Sequence, residues 1–236
     1  MNDIALVTGA AGALGGEVAR LLHSRGYELA LVDTARGKTR LDQLAGSLGG
    51  ACVVAGDVTS GELWTEAMAR VERELGATPT VAALVAGAWR GGKALHDEQD
   101  DEVWRAMLEA NLETVHRSLR ALLPSMVARK RGAIVALGSR AAVDPGSSAN
   151  AAAYAASKAA TVALVQAVAA EVRDHGVRIN AVLPSTMDTP ANRAAMPDAD
   201  PSRWVSLASA AGVVAFLLGD EARDISGAAI PVYGRA

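Results

Sequence analysis

Tyr154 and Lys158 stand four residues apart in Tyr154-Ala155-Ala156-Ser157-Lys158, a spacing that puts both side chains on one helix face about one turn apart. A phenol with an unperturbed pKa of ~10 is a poor proton donor or acceptor near pH 7. An ammonium beside it favours the phenolate, so the two can work together as a proton-transfer unit. Tyrosine and lysine also meet at this spacing by chance on helix surfaces. What raises this pair above chance is its company: Ser139, just past an apolar run and able to hydrogen-bond a substrate oxygen, and Asn111, inside the preceding helical pattern.

A second constellation opens the chain. An apolar run at 4–8 leads into Thr8-Gly9-Ala10-Ala11-Gly12-Ala13-Leu14-Gly15 and then a helical pattern, the context in which a glycine-rich loop carries information. Gly9 permits a tight turn, Gly12 lets the backbone approach a phosphate, and Gly15 allows close helix packing. The helix N-terminus offers free N–H groups and a partial positive charge to a pyrophosphate. Asp33 ends the next apolar run, 18 positions beyond Gly15, where a carboxylate accepts from an adenosine ribose and repels a 2′-phosphate. That favours NAD. Arg36, three residues on, could rescue the phosphate and keeps NADP as the alternative. Asp57, before Val58, falls where an adenine pocket belongs and could accept from the adenine amino group; a turn aspartate fits the same spacing.

Positioning these groups requires a regular scaffold. Short Val/Leu/Ile-rich runs alternate with longer helical patterns, the signature of repeated β-α units in a doubly wound α/β fold with a parallel sheet. The pattern predicts seven strands, at 4–8, 28–32, 51–55, 82–85, 132–137, 178–183 and 228–232. Helices are expected at 14–25, 39–48, 61–75, 101–129, 151–175 and 201–218, with Gly26, Gly76 and Gly176 where helix C-caps belong. Irregular segments remain at 89–100, 140–150 and 184–200. The last two follow strands five and six, and ligands in open α/β sheets bind beyond strand carboxyl ends. One domain over 1–236 is expected, with a short lid near 184–206.

Composition excludes some alternatives. Lys and Arg number 23 against 26 Asp and Glu, a net charge of −3, so there is no basic field for nucleic acid or an anionic membrane. Half the residues are hydrophobic but only 3% are aromatic, as a core of Ala, Val and Leu around a parallel sheet requires. The single Cys52, in Ala51-Cys52-Val53-Val54, reads as a small core residue. No apolar run is expected to reach the ~18 residues of a membrane span. With no signal-peptide charge pattern at the N-terminus, a cytoplasmic protein is expected. No metal site is expected. The Ala-rich tract 149–170 reads as a close-packing helix.

The glycine loop, Asn111, Ser139, Tyr154 and Lys158 together resemble the short-chain dehydrogenase/reductase family across essentially the whole chain. The resemblance implies a Rossmann-type fold and hydride transfer between a nicotinamide dinucleotide and a small-molecule substrate. It makes Tyr154 the proton donor or acceptor and has Lys158 lower the tyrosine pKa while holding the nicotinamide ribose. Ser139 would orient the substrate oxygen, and Asn111 would hold a relay water. Gly9, Ala11, Gly12, Ala13, Leu14 and Gly15 would line the pyrophosphate, and Ala86 and Gly87 the inner dinucleotide. Pro184, Thr186 and Thr189, in Pro184-Ser185-Thr186-Met187-Asp188-Thr189, would hold the carboxamide. Ile225-Ser226-Gly227 matches the family's ending. The resemblance also implies a homodimer or homotetramer built on the helices containing Asn111 and Tyr154.

Two departures stand out. Ala13 occupies a usual glycine position, with Gly12 one place early, and Val85-Ala86-Gly87-Ala88-Trp89 replaces the usual Asn-Asn-Ala-Gly, so the bracing supplied by that asparagine must come from elsewhere. These departures, with the lid sequence from Leu183 to Arg193, Met196 to Asp200 and Trp204, are most similar to the dihydropteridine reductases. That branch implies a quinonoid dihydropterin as substrate, with Trp89 stacking on the flat ring. Trp89 as a plain loop anchor is the competing reading, and Asn111 pulls toward the broader family. Two further readings stay open: a general ketone, aldehyde or acyl reductase, and a catalytically silent dinucleotide-sensing protein.

Overall fold

The computed structural model describes residues 3–235. Seven strands form one sheet in the order β3-β2-β1-β4-β5-β6-β7, and every neighbouring pair is parallel. They are β1 Ile4–Thr8, β2 Glu28–Asp33, β3 Cys52–Ala55, β4 Val81–Leu84, β5 Gly132–Leu137, β6 Val177–Pro184 and β7 Ala229–Val232. Both faces are covered by helices, so strand residues are buried on alternate sides. Ile4 and Leu6 of β1 join one core with Val54, Ile134 and Ile179, while Ala5 and Val7 join the other with Leu31, Val53 and Val135. Strands buried on both faces read as continuous apolar runs, which is why their positions were legible.

The helices are α1 Ala13–Ser24, α2 Lys38–Ser47, α3 Gly61–Leu75, α4 Glu102–Leu108, α5 Thr114–Arg129, α6 Ala152–Val172, α7 Pro190–Ala195 and α8 Leu207–Leu218. Three expectations change. The helix expected over 101–129 is broken by a π-helical turn, Glu109–Glu113, between α4 and α5. An extra residue per turn there rotates Asn111 into the core, where it is wholly buried. The helix expected from 201 begins at Leu207, after a 3₁₀ turn at Pro201–Arg203. The segment expected to be irregular from 184 to 200 contains α7, with Thr189 as N-cap and Pro190 in its first turn.

The expectation that no apolar run reaches a membrane span is corrected: α6, continued by a 3₁₀ turn to His175, is by length and composition long and apolar enough to cross a membrane. Half of its most apolar window is buried within the protein, and α6 packs along β6. Cys52 is free and buried, as expected, and burial pushes its thiol up to about 12.

Candidate active site

The strand order reverses between β1 and β4, so the loops after these two strands part and leave a crevice at the sheet's carboxyl edge. Gly9 turns there with φ +66°, and a Cβ on it would lie 2.8 Å from the Ala86 nitrogen. Only glycine fits at that conformation and that distance from the chain leaving β4. A Cβ on Gly15 would overlap the Gly9 carbonyl oxygen, so α1 begins directly under the loop. The α1 N-cap, Gly12, makes no side-chain cap bond, which leaves first-turn N–H groups for an anion. The shift of glycine to position 12 preserves the turn: Gly12 donates to the Gly9 carbonyl at 3.0 Å and Gly16 to the Gly12 carbonyl at 2.9 Å.

Asp33, at the end of β2, is held from two sides. Its Oδ2 accepts from the Ala11 nitrogen at 2.9 Å and its Oδ1 from the Thr34 nitrogen at 2.7 Å. The carboxylate is thus fixed beside the glycine loop, while Arg36 is exposed. Arg40 was not singled out from the sequence; its Nε donates to the Ala11 carbonyl at 3.1 Å. Asp57 is exposed, and its Oδ1 accepts from the Thr59 nitrogen and hydroxyl at 2.9 and 2.6 Å. Those two bonds, both to Oδ1, hold its carboxyl below the usual range. Val58 is buried, and its carbonyl accepts from the Trp64 indole at 2.9 Å.

A cleft of about 750 Å³ opens beyond β4, β5 and β6. Trp89, Ser139, Tyr154, Lys158, Thr186 and Met196 are among the residues lining it. Three of the four residues singled out for chemistry, Ser139, Tyr154 and Lys158, line it, while Asn111 lies buried behind the chain leaving β4. Tyr154 and Lys158 lie one turn apart on α6. Lys158 is buried, and its Nζ donates to the Leu137 carbonyl at 2.8 Å. With no carboxylate beside it, desolvation depresses its ammonium to about 8. Burial pushes the Tyr154 phenol upward, and a hydrogen bond with Ser139 draws it back. Ser139 in turn accepts from the Ala141 nitrogen at 3.2 Å.

Asn111 answers the question left by the missing asparagine. Its Oδ1 accepts from the Ala88 nitrogen at 3.0 Å, and its Nδ2 donates to the Ala88 carbonyl at 3.0 Å and to Ser157 Oγ at 3.0 Å. Thr8 Oγ1 completes the bracing by accepting from the Ala86 nitrogen at 3.1 Å. A Cβ on Gly87 would stand 2.7 Å from Asn111 Oδ1 and 3.3 Å from Lys158 Nζ, so the chain after β4 runs directly over both.

Thr8, Ser157 and Thr161 were not marked as site residues, yet all three are buried. Their signal was a hydroxyl in an otherwise apolar strand or Ala-rich helix. Thr189 caps α7 by accepting from the Asn192 nitrogen at 3.1 Å, and Asn192 Nδ2 donates to the Met187 carbonyl at 2.8 Å. Trp89 is 63% exposed.

The sequence profile described as short chain dehydrogenase matches residues 3–200. The chain belongs to the short-chain dehydrogenase family. A galactitol 2-dehydrogenase (L-tagatose-forming) of Cereibacter sphaeroides is 39% identical over 189 residues, covering 78% of this chain and 71% of that protein. A 2,3-dihydro-2,3-dihydroxybenzoate dehydrogenase of Bacillus subtilis is 36% identical over 192 residues, covering 80% and 71%. An oxidoreductase of the same family from Burkholderia thailandensis superposes with a TM-score of 0.85 at 31% identity, covering 99% of this chain and 92% of that one. Membership makes the protein an oxidoreductase on a Rossmann-type frame, in a family that typically uses a nicotinamide cofactor.

Proposed function

We propose that this protein is an NAD-dependent oxidoreductase that interconverts a secondary alcohol and a ketone on a small substrate. The carrying observation is the convergence of Ser139, Tyr154 and Lys158 on one cleft next to the glycine loop.

The residues present fit a dinucleotide. Gly9 and Gly15 let the loop pack against the chain after β4 and against α1, where a Cβ would meet backbone, and the fixed Asp33 carboxylate beside that loop suits a ribose. Gly9, Ala11, Gly12, Ala13, Leu14 and Gly15 would hold the pyrophosphate, Asp33 the adenosine ribose, Ala86, Gly87 and Lys158 the inner ribose, and Pro184, Thr186 and Thr189 the carboxamide. When bound, the cofactor supplies the hydride donor or acceptor. Ser139 holds the substrate oxygen, and Tyr154 gives that oxygen a proton in reduction or takes one in oxidation. Lys158 places a positive charge behind the phenol and favours its ionised form. Asn111 holds the Ala86–Trp89 turn in place as a wall of the cleft through both backbone groups of Ala88. Asp33 disfavours a 2′-phosphate, which supports NAD over NADP.

For the substrate, the alcohol–ketone reading rests on what the related dehydrogenases are named for. A second reading, a quinonoid dihydropterin, is favoured by Trp89, whose exposed indole borders the cleft and offers a stacking face. The segment 184–206 is read as the lid. A cytoplasmic homo-oligomer is proposed, joined through the alanine-rich outer face of α6, where Ala152, Ala159, Ala163 and Ala170 are exposed.

The test is turnover by the parent and by Tyr154→Phe with NAD(H), against cyclic alcohols, ketones and quinonoid dihydropterin. Loss of about 10²–10⁴-fold in kcat is the usual cost of removing a general acid-base group, with dinucleotide binding retained. Full turnover by the variant overturns the assignment. Turnover of the pterin alone replaces the first substrate reading by the second, and dinucleotide binding with no turnover of any substrate supports the silent sensor.

A further inference from the structure

We infer that Tyr233 is a positioning residue, its ring held by the serine wall of the cleft and its backbone carbonyl by the nicotinamide-side loop, so that it ties the two together. The inference rests on the hydride-transfer reading above. Tyr233 follows β7, whose carboxyl end lies beside that of β6. On one side the Arg140 guanidinium lies over the Tyr233 ring, 5.5 Å from its centroid, within cation–π range. Arg140 is the residue after Ser139, and its Nε and Nη2 also reach Asp144 Oδ2 at 3.1 and 3.0 Å. Its side chain is thereby held between Tyr233 and Asp144, just past the short turn that Ser139 opens.

On the other side the Tyr233 carbonyl accepts from the Ser185 hydroxyl at 2.7 Å, and the Val232 carbonyl from the Ser185 nitrogen at 3.1 Å. Ser185 opens the loop leading to Thr186 and Thr189. That loop is fixed again at its far end, where the Val205 nitrogen donates to the Thr186 carbonyl at 2.9 Å and the Asp188 nitrogen to the Val205 carbonyl at 2.8 Å.

The residues after Tyr233 extend the same connection to the lid. The Arg235 nitrogen donates to the Arg203 carbonyl at 2.9 Å, and Arg203 Nε and Nη2 return bonds to the Arg235 carbonyl at 3.1 and 3.0 Å. Gly234 turns between them at φ +61°, where a Cβ would lie 3.0 Å from the Arg203 carbonyl oxygen. Each bond is modest and partly solvated. Their common effect is geometric, because small misplacements of groups around a reacting centre carry large rate penalties.

The experiment compares the full chain with Tyr233→Ala and Tyr233→Phe. Amide hydrogen exchange is followed at 139–144 and 185–189 in the ligand-free protein, and kcat and KM are measured per folded molecule on a substrate the parent accepts. Tyr233→Ala should raise exchange in both segments and lower kcat about tenfold, with dinucleotide KM changed less than about threefold. Tyr233→Phe, which keeps the ring, should restore both. If Tyr233→Ala does not fold, Ser185→Ala is read the same way and should loosen 139–144 as well as its own loop. Exchange that rises in one segment only, or kcat that falls only with the folded fraction, overturns the inference. A parent with no turnover defeats the hydride-transfer reading instead, while the exchange measurement still decides the role of Tyr233.

Discussion

The side-chain amide of Asn111 donates to the Ser157 hydroxyl at 3.0 Å, and that hydroxyl donates in turn to the Tyr154 carbonyl at 2.8 Å. The π-helical turn that buries Asn111 is thereby joined to the helical turn that presents Tyr154. Ser157→Ala removes the hydroxyl between them and leaves the Asn111 amide short of one buried acceptor. Loss of about 1–3 kcal/mol of stability is expected, read by chemical denaturation. Asn111→Leu should cost more, since both backbone groups of Ala88 lose their partners as well. Equal stability of the two variants would contradict this order.

Asp33 and the Ala11 nitrogen make a second such tie, between the end of β2 and the glycine loop. Asp33→Ala removes both the ribose acceptor and the charge that opposes a 2′-phosphate. NADH binding should weaken by about tenfold, the worth of one or two hydrogen bonds, and the NADH:NADPH preference should narrow or reverse. Fluorescence titration with both dinucleotides measures it. A ratio equal to the parent's would refute the ribose assignment.

The positions of the strands, and the meeting of Tyr154, Lys158 and Ser139 at one cleft, were legible because each rests on local pattern. Apolar runs mark strands, a spacing of four marks a helix face, and glycines mark a loop that side chains would block. The fate of Asn111 was not legible, because its bracing role depends on one extra residue in a helical turn, and no periodicity distinguishes Glu109–Glu113 from α-helix. Asp57 is legible as a turn residue for a local reason, since its Oδ1 accepts from Thr59 only two residues on. The Arg140–Tyr233 contact joins residues 93 positions apart and leaves no trace in local spacing.

Gly15 tests the glycine loop without touching a charged group. A Cβ there would overlap the Gly9 carbonyl oxygen, which belongs to backbone packed against the chain leaving β4. Gly15→Ala should therefore destabilise the protein by about 1–3 kcal/mol, as overpacking in tight sites does, despite alanine's better helix propensity. Dinucleotide affinity should fall with it. A variant of equal or greater stability, as an ordinary helical glycine would give, would show that α1 can withdraw from the loop.

Lys158 gives the sharpest linkage between function and stability. In an open chain its ammonium keeps its proton up to 10.5, but in the folded protein only up to about 8, because burial disfavours the charge. Between those values unfolding takes up a proton, so the lysine's stabilising contribution is complete above 10.5 and is lost as pH falls to 8. At neutral pH the folded protein thus carries a charge it would be more stable without. Lys158→Met keeps the chain length and removes the titration. Relative to the parent, the ligand-free variant should be most favoured at pH 7. That advantage should shrink by about 3 kcal/mol on going to pH 10.5, the equivalent of the pKa difference. Urea melts of both proteins at several pH values from 7 to 10.5 read it directly. A stability difference that does not change with pH would mean that the lysine keeps an ordinary pKa despite its burial.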